Sequence, residues 1–225
     1  MRYRVIIPIM VLAALAALVY SPASQSASVV TSKHDLSTPY YQYSNQVCVY
    51  CHTPHGASAV ISAPLWNRNV KVVTYQMYTS PTIDTTIPGA PVGVSLACLG
   101  CHDGATSSSN EHSLLNGPGP GSMPDSTSYP NCQRCHPEYY TGGSPVNWLG
   151  TDLRNDHPIS MTYPTAAQDP AFFIPPNLQK GWSDVPLYGG KVECPSCHNV
   201  HDPSKSPFLR IANTGSALCY KCHNK

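Results

Sequence analysis

The sequence predicts a mostly irregular fold, loops with short helices and few strands, and three observations predict it. The first is that the 225 residues include 23 prolines and 15 glycines. Proline lacks an amide donor and glycine is conformationally loose, so long helices and broad sheets are excluded. The second is a shortage of aliphatic side chains. After Ala23, Leu, Ile, Val and Phe supply 35 of 202 residues, about 17 %, below the roughly 20 % at which disorder is suspected. Disorder of that kind also needs a strong net charge, whereas eleven basic side chains here face twelve acidic ones. The interior must therefore be filled by something other than aliphatic groups. The third observation is that all ten cysteines fall into five copies of Cys-x-x-Cys-His, with none left over.

The elements follow in chain order. Met1 to Tyr20 carries Arg2 and Arg4, then an apolar run from Val5 to Val19, and small residues from Ser21 to Ser28 follow. That is the layout of a secretory signal. Residues 1–23 are expected to be removed, with the cut between 23 and 28. The apolar run is shorter than the roughly 20 residues that span a bilayer, and no cysteine near the cut offers a lipid anchor. Residues 24–225 are read as a single domain. Residues 24–112 hold two Cys-x-x-Cys-His copies, 113–190 hold one and a long spacer, and 191–225 hold two only 25 residues apart. Val70 to Tyr75 is the best strand expectation. Gly117 to Gly121, inside the Asn116–Asn131 stretch, reads as a loop or hinge. The spacer from Glu138 to Gly190 holds Trp148, Phe172, Phe173 and Trp182, and its expected work is to wrap flat apolar faces.

The five copies are Cys48, Cys51 and His52; Cys98, Cys101 and His102; Cys132, Cys135 and His136; Cys194, Cys197 and His198; and Cys219, Cys222 and His223. Ten cysteines in a short exported chain would ordinarily suggest disulfides. The spacing overrules that, because Cys-x-x-Cys-His is the attachment signature of c-type haem. Two thiols form thioethers with the vinyl groups, and the next residue, histidine, binds iron. Zinc ribbons and redox dithiols share Cys-x-x-Cys, so the histidine discriminates. Five covalently attached haem c groups among about 200 residues would supply the missing apolar core. The fold class is thus an irregular chain wrapped around a row of five haems, a multihaem cytochrome c.

Five histidines remain: His34, His55, His112, His157 and His201. That is one spare per iron, the arithmetic of bis-histidine ligation. Met77, Met123 and Met161 are the competing axial candidates. His55 and His201 each stand three residues after a motif histidine. Trans ligands need Cα atoms on the order of 12 Å apart, whereas three extended residues reach about 10 to 11 Å. Neither can cap its own iron, so each is expected to serve a neighbouring haem. Both doubled segments also precede a stretch ending in Arg, Pro64–Arg68 and Pro207–Arg210, a weak internal repeat.

Lys33–Ser37 (KHDLS), Cys48–Gly56 (CVYCHTPHG), Ala63–Arg68 (APLWNR), Cys98–Gly104 (CLGCHDG), Asp156–Pro158 (DHP) and Cys194–Asp202 (CPSCHNVHD) together resemble the doubled-CxxCH multihaem cytochromes of metal-respiring bacteria. That family includes periplasmic carriers and outer-membrane cytochromes that polymerise into extracellular filaments. The resemblance implies that His34, His55, His157 and His201 are axial ligands, while His112 matches no family motif.

These readings converge on an exported electron conduit with no catalytic residues, acting at the cell surface or outside it, or alternatively in the periplasm. The expected partners are other redox proteins or extracellular electron acceptors, and further copies of the chain in a homopolymer with axial-ligand exchange. His34, on a Ser/Thr/Pro-rich arm near the mature N-terminus, is the ligand expected to fold back on the first haem or to cross to a neighbour. A multihaem nitrite- or hydroxylamine-type enzyme needs an open iron, which the ligand count does not leave. A haem-bearing structural protein would exchange no electrons with a partner. The near-neutral charge excludes a nucleic-acid binder.

Overall fold

The computed structural model describes residues 28–35, 46–68, 73–103 and 149–224. The leader, the third Cys-x-x-Cys-His copy, His112 and the Asn116–Asn131 loop lie outside the described residues. Regular structure is sparse, as the proline and glycine content requires. Among the described residues it consists of a helix α1 (Ser95–His102), a one-turn helix α2 (Cys194–Cys197), two strands β1 (Met161–Thr162) and β2 (Lys191–Val192), and short tight turns at Val47–Tyr50, Thr214–Ser216 and Cys219–Lys221.

The two strands pair antiparallel, Met161 opposite Val192, and Tyr163 N–H to Gly190 C=O at 2.8 Å extends the ladder. Met161, Tyr163, Leu187 and Val192 are buried together, with Phe172, Trp182 and Cys222 packed on them. The Tyr163 hydroxyl donates to the Phe173 carbonyl at 2.7 Å, and Phe173 N–H donates to the Cys222 carbonyl at 2.8 Å. This small core therefore carries the last motif. Gly181 turns the chain back beneath it at φ +73°, where a Cβ would meet the Val185 carbonyl at 2.8 Å.

The strand expectation at Val70–Tyr75 is corrected where it can be seen: residues 73–75 are not in a strand, and the rest lie outside the described residues. The pairing joins the spacer to the segment that follows it, where Met161 and Val192 have apolar neighbours to bury against. Met161, one of the axial alternatives, is committed to that core.

Helix α1 buries Ser95, Ala97 and Leu99 and packs on α2. Leu99 is fully buried. The i, i+3 spacing on a helix sets Cys98 and Cys101 on a common face. The same turn recurs at the other described motifs. The motif histidine N–H donates to the carbonyl of the first cysteine in His52–Cys48 at 2.9 Å, His198–Cys194 at 3.1 Å and His223–Cys219 at 2.9 Å. Each turn presents two thiols and delivers the histidine just past its end.

Candidate functional site

The two doubled segments are built alike. In the first, Thr53 N–H bonds the Leu65 carbonyl at 2.8 Å and Asn67 N–H bonds the Cys51 carbonyl at 2.8 Å; in the second, Asn199 to Phe208 at 2.7 Å and Arg210 to Cys197 at 2.9 Å repeat the pattern. Leu65 and Phe208 both adopt the left-handed conformation, at φ 53° and 62°. The side chains of Asn67 and Arg210 then reach the same carbonyl position between the cysteines, Val49 at 2.9 Å and Pro195 at 2.6 Å. The weak sequence repeat is thus a repeated loop that closes over the motif.

The loop's purpose shows at the imidazole. His52 Nδ1 lies 2.7 Å from the Pro64 carbonyl, and His198 Nδ1 lies 2.9 Å from the Pro207 carbonyl. His157 Nδ1 lies 3.0 Å from the Pro158 carbonyl. A carbonyl only accepts, so Nδ1 carries the proton and Nε2 keeps its lone pair. Tying the far ring nitrogen to a carbonyl is the usual way a metal-binding imidazole is oriented.

Three motif histidines face a spare histidine. His52 and His201 stand 6.2 Å apart between ring centres, with planes 19° from parallel. His34 and His102 stand 6.0 Å apart, and His157 and His223 stand 6.4 Å apart. A metal–imidazole bond is about 2 Å, and the ring centre lies about 1 Å beyond the nitrogen, so two ligands on one metal put their centres about 6 Å apart. The residues fit an iron between the rings. His201 is set against His52, not against His198 three residues before it. Among the described residues no second imidazole faces His198 at such a distance. His112 and His136 lie outside the described residues.

Electrostatics favours the neutral ligand form. Burial, with the like charges of His102, His198 and His201, pushes His34 down to about 4. Burial and then His52 and Arg210 lower His201. Burial pushes the thiols of Cys51 and Cys197 up to about 11. Zinc sites and redox dithiols work through thiolates, which these environments disfavour. Among the described residues no three His, Cys, Asp or Glu side chains gather as an ion-binding cluster.

His34 requires a correction of the reasoning about its arm. The arm is expected to fold back on the first haem or to cross to a neighbour. Its ring is held by Phe208, edge-on at 4.7 Å, and lies in the same chain as the His102 it faces, beside the second motif and not the first. The arm's own composition could not reveal an anchor that lies more than 170 residues away.

Sequence reasoning missed Glu193, a buried carboxyl directly before Cys194, and its partners Ser95 and Ser160. It also missed the two proline carbonyls, although the shared Pro-to-Arg stretches were their trace.

Residues 186–225, which contain the last two motifs, match the family model for the doubled CXXCH motif. No curated protein matches the chain. The matched motif indicates covalently bound haem c and supports a multihaem c-type cytochrome family of electron-transfer function.

Proposed function

We propose that the chain is an exported five-haem cytochrome c that conducts electrons along closely packed bis-histidine haems. The observation that carries this reading is the set of three imidazole pairs at 6.0, 6.2 and 6.4 Å, each joining a motif histidine to a spare one. Haem iron, when bound, supplies a one-electron couple. The chain's own residues orient the imidazoles through Pro64, Pro158 and Pro207 and shut other ligands out. His34 would pair with His102, His201 with His52, and His157 with His223. His55 and His112 would serve His136 and His198. Cys48, Cys51, Cys98, Cys101, Cys132, Cys135, Cys194, Cys197, Cys219 and Cys222 would carry the thioethers.

The positions of the thiols support close packing. Cys98 interacts electrostatically with Cys194, as Cys51 does with Cys101 and Cys197 with Cys222. The second motif therefore neighbours the first and the fourth, and the fourth neighbours the fifth. Electrons would follow spatial order, not chain order.

Extracellular polymerisation into a filament, with copies exchanging an axial ligand, is the finer form of this proposal. The exchanged ligand would be His34, reaching a neighbouring copy, or the one that completes the iron at His198, the motif histidine without a facing imidazole among the described residues. A monomeric periplasmic carrier is the alternative form.

The test is to purify the secreted holoprotein, count haem by pyridine haemochrome and iron analysis, and record its spin state. Five haems, all low-spin, is the expected result. A haem-free protein would overturn the proposal, and stoichiometric carbon monoxide binding to the native protein would replace the conduit by an enzyme. Electron microscopy of the same material separates filament from monomer.

A further inference from the structure

Glu193 lies where two haem-binding segments meet. It immediately precedes α2, and its side chain crosses to the start of α1. It is 2 % exposed, with Ser95, Ser160 and Ser196 as buried as itself.

Every polar group that faces the carboxylate donates to it. The Ser95 hydroxyl accepts from Cys194 N–H at 3.0 Å, so its own proton points to Glu193 Oε2. The Ser160 hydroxyl accepts from Val92 N–H at 2.9 Å and shares its proton between the same oxygen at 3.2 Å and the Val92 carbonyl at 3.4 Å. The backbone N–H groups of Ser95 and Ser196 complete the cradle. Oε1 approaches Gly93, where a Cβ would stand 3.1 Å away. These donors favour the anion, while burial works against them and raises the Glu193 carboxyl above its ordinary range.

The anion lacks a counter-charge. The ion pairs among the described residues are Arg154–Asp152, Lys205–Asp202 and Lys221–Asp184. Lys191 on β2 acts on Glu193 only as a more distant charge. The titratable groups on the packed elements are Cys98, Cys101 and His102 on α1 and Cys194 and Cys197 on α2, and of these Cys98 and Cys194 interact electrostatically with Glu193. Those are the attachment points of two of the proposed haems, and an unpaired buried charge is costly.

Resting on the haem reading above, we propose that Glu193 is a buried anion that lowers the reduction potentials of the two haems attached at Cys98/Cys101 and Cys194/Cys197. The carboxylate favours the ferric centre, which carries one more positive charge than the ferrous centre. These two haems therefore give up electrons more readily than their ligands alone dictate. Glu193 acts through charge and touches no axial ligand.

The experiment is a spectroelectrochemical titration of the holoprotein with Glu193→Gln and Glu193→Asp, the haems distinguished by NMR of their methyl groups and their number checked beforehand. In Glu193→Gln the oxidised-to-reduced ratio of those two haems, at fixed potential, should fall at least tenfold, which is 59 mV for a one-electron couple. The other haems should move less, and Glu193→Asp, which keeps the charge, should stay near the wild type. Unmoved midpoints, an equal shift at every haem, or an aspartate variant that behaves like the glutamine one would overturn the proposal. If Glu193→Gln fails to load haem, Ser160→Ala decides: at a pH where the carboxylate is ionised, losing one donor leaves its charge less screened and should lower the same two potentials by a smaller amount, and no change refutes it. A wild-type protein without haem would refute the cytochrome reading itself, by a separate measurement.

Discussion

The ring of His201 stands opposite that of His52, 6.2 Å between centres and 19° from parallel, although His201 stands three residues from His198. This doubled motif thus reaches outward: under the proposed ligation its second histidine would serve the neighbouring centre and bind the two segments together.

This relationship makes single substitutions specific. In the holoprotein, His201→Ala should open the haem at Cys48/Cys51 and leave the adjacent one at Cys194/Cys197 low-spin. His34→Ala should open that at Cys98/Cys101, and His157→Ala that at Cys219/Cys222. Each variant should gain one high-spin signal and bind one carbon monoxide per subunit. A high-spin signal from the Cys194/Cys197 haem in His201→Ala would break the pairing.

Leu99→Ala tests the contact between α1 and α2. Leu99 is fully buried, and such truncations cost about 2 to 5 kcal/mol. Leu178→Ala, at a side chain 38 % exposed, should cost less than about 1 kcal/mol. Thermal unfolding of the two holoproteins compares them, and equal midpoints would contradict the packing.

Secreted chain that has not received haem should lack a stable fold. The apolar cluster of Met161, Tyr163, Leu187 and Val192 is too small to organise so long a chain. Replacing the motif cysteines by alanine should give a protease-sensitive protein with a disordered circular-dichroism spectrum. A cooperative unfolding transition in that variant would show that the chain folds alone.

Each haem brings two propionates against one net positive ferric centre, about one added negative charge per haem. The holoprotein should therefore focus below the sequence isoelectric point of 7.6. Focusing at or above that value would contradict haem loading.

The irregular fold was legible because proline and glycine forbid long elements locally, and a local prohibition needs no tertiary information. The attachment chemistry was legible for the same reason, since two thiols and an imidazole lie within five residues. The reach limit on His201 was also local. Its facing partner was not, because that depends on how distant turns pack. Glu193 escaped notice since a glutamate before a cysteine is ordinary until Ser95 and Ser160 close around it. The strand pair escaped because two-residue strands leave no alternation to read. The weak repeat proved to be a shared loop only when Leu65 and Phe208 were seen in the same left-handed turn.

The facing histidines also impose a timetable. His52 meets a partner 149 positions later, and His34 meets one 68 positions later. A chain threaded through a membrane from its N-terminus delivers the first attachment site long before His201 emerges. That site must wait half-built, and closing such distant contacts is intrinsically slow. Under the proposed pairing the centre at Cys98/Cys101 would close first, as His102 emerges, and the one at Cys48/Cys51 only with His201, so a chain truncated before His201 would emerge with its first centre permanently incomplete.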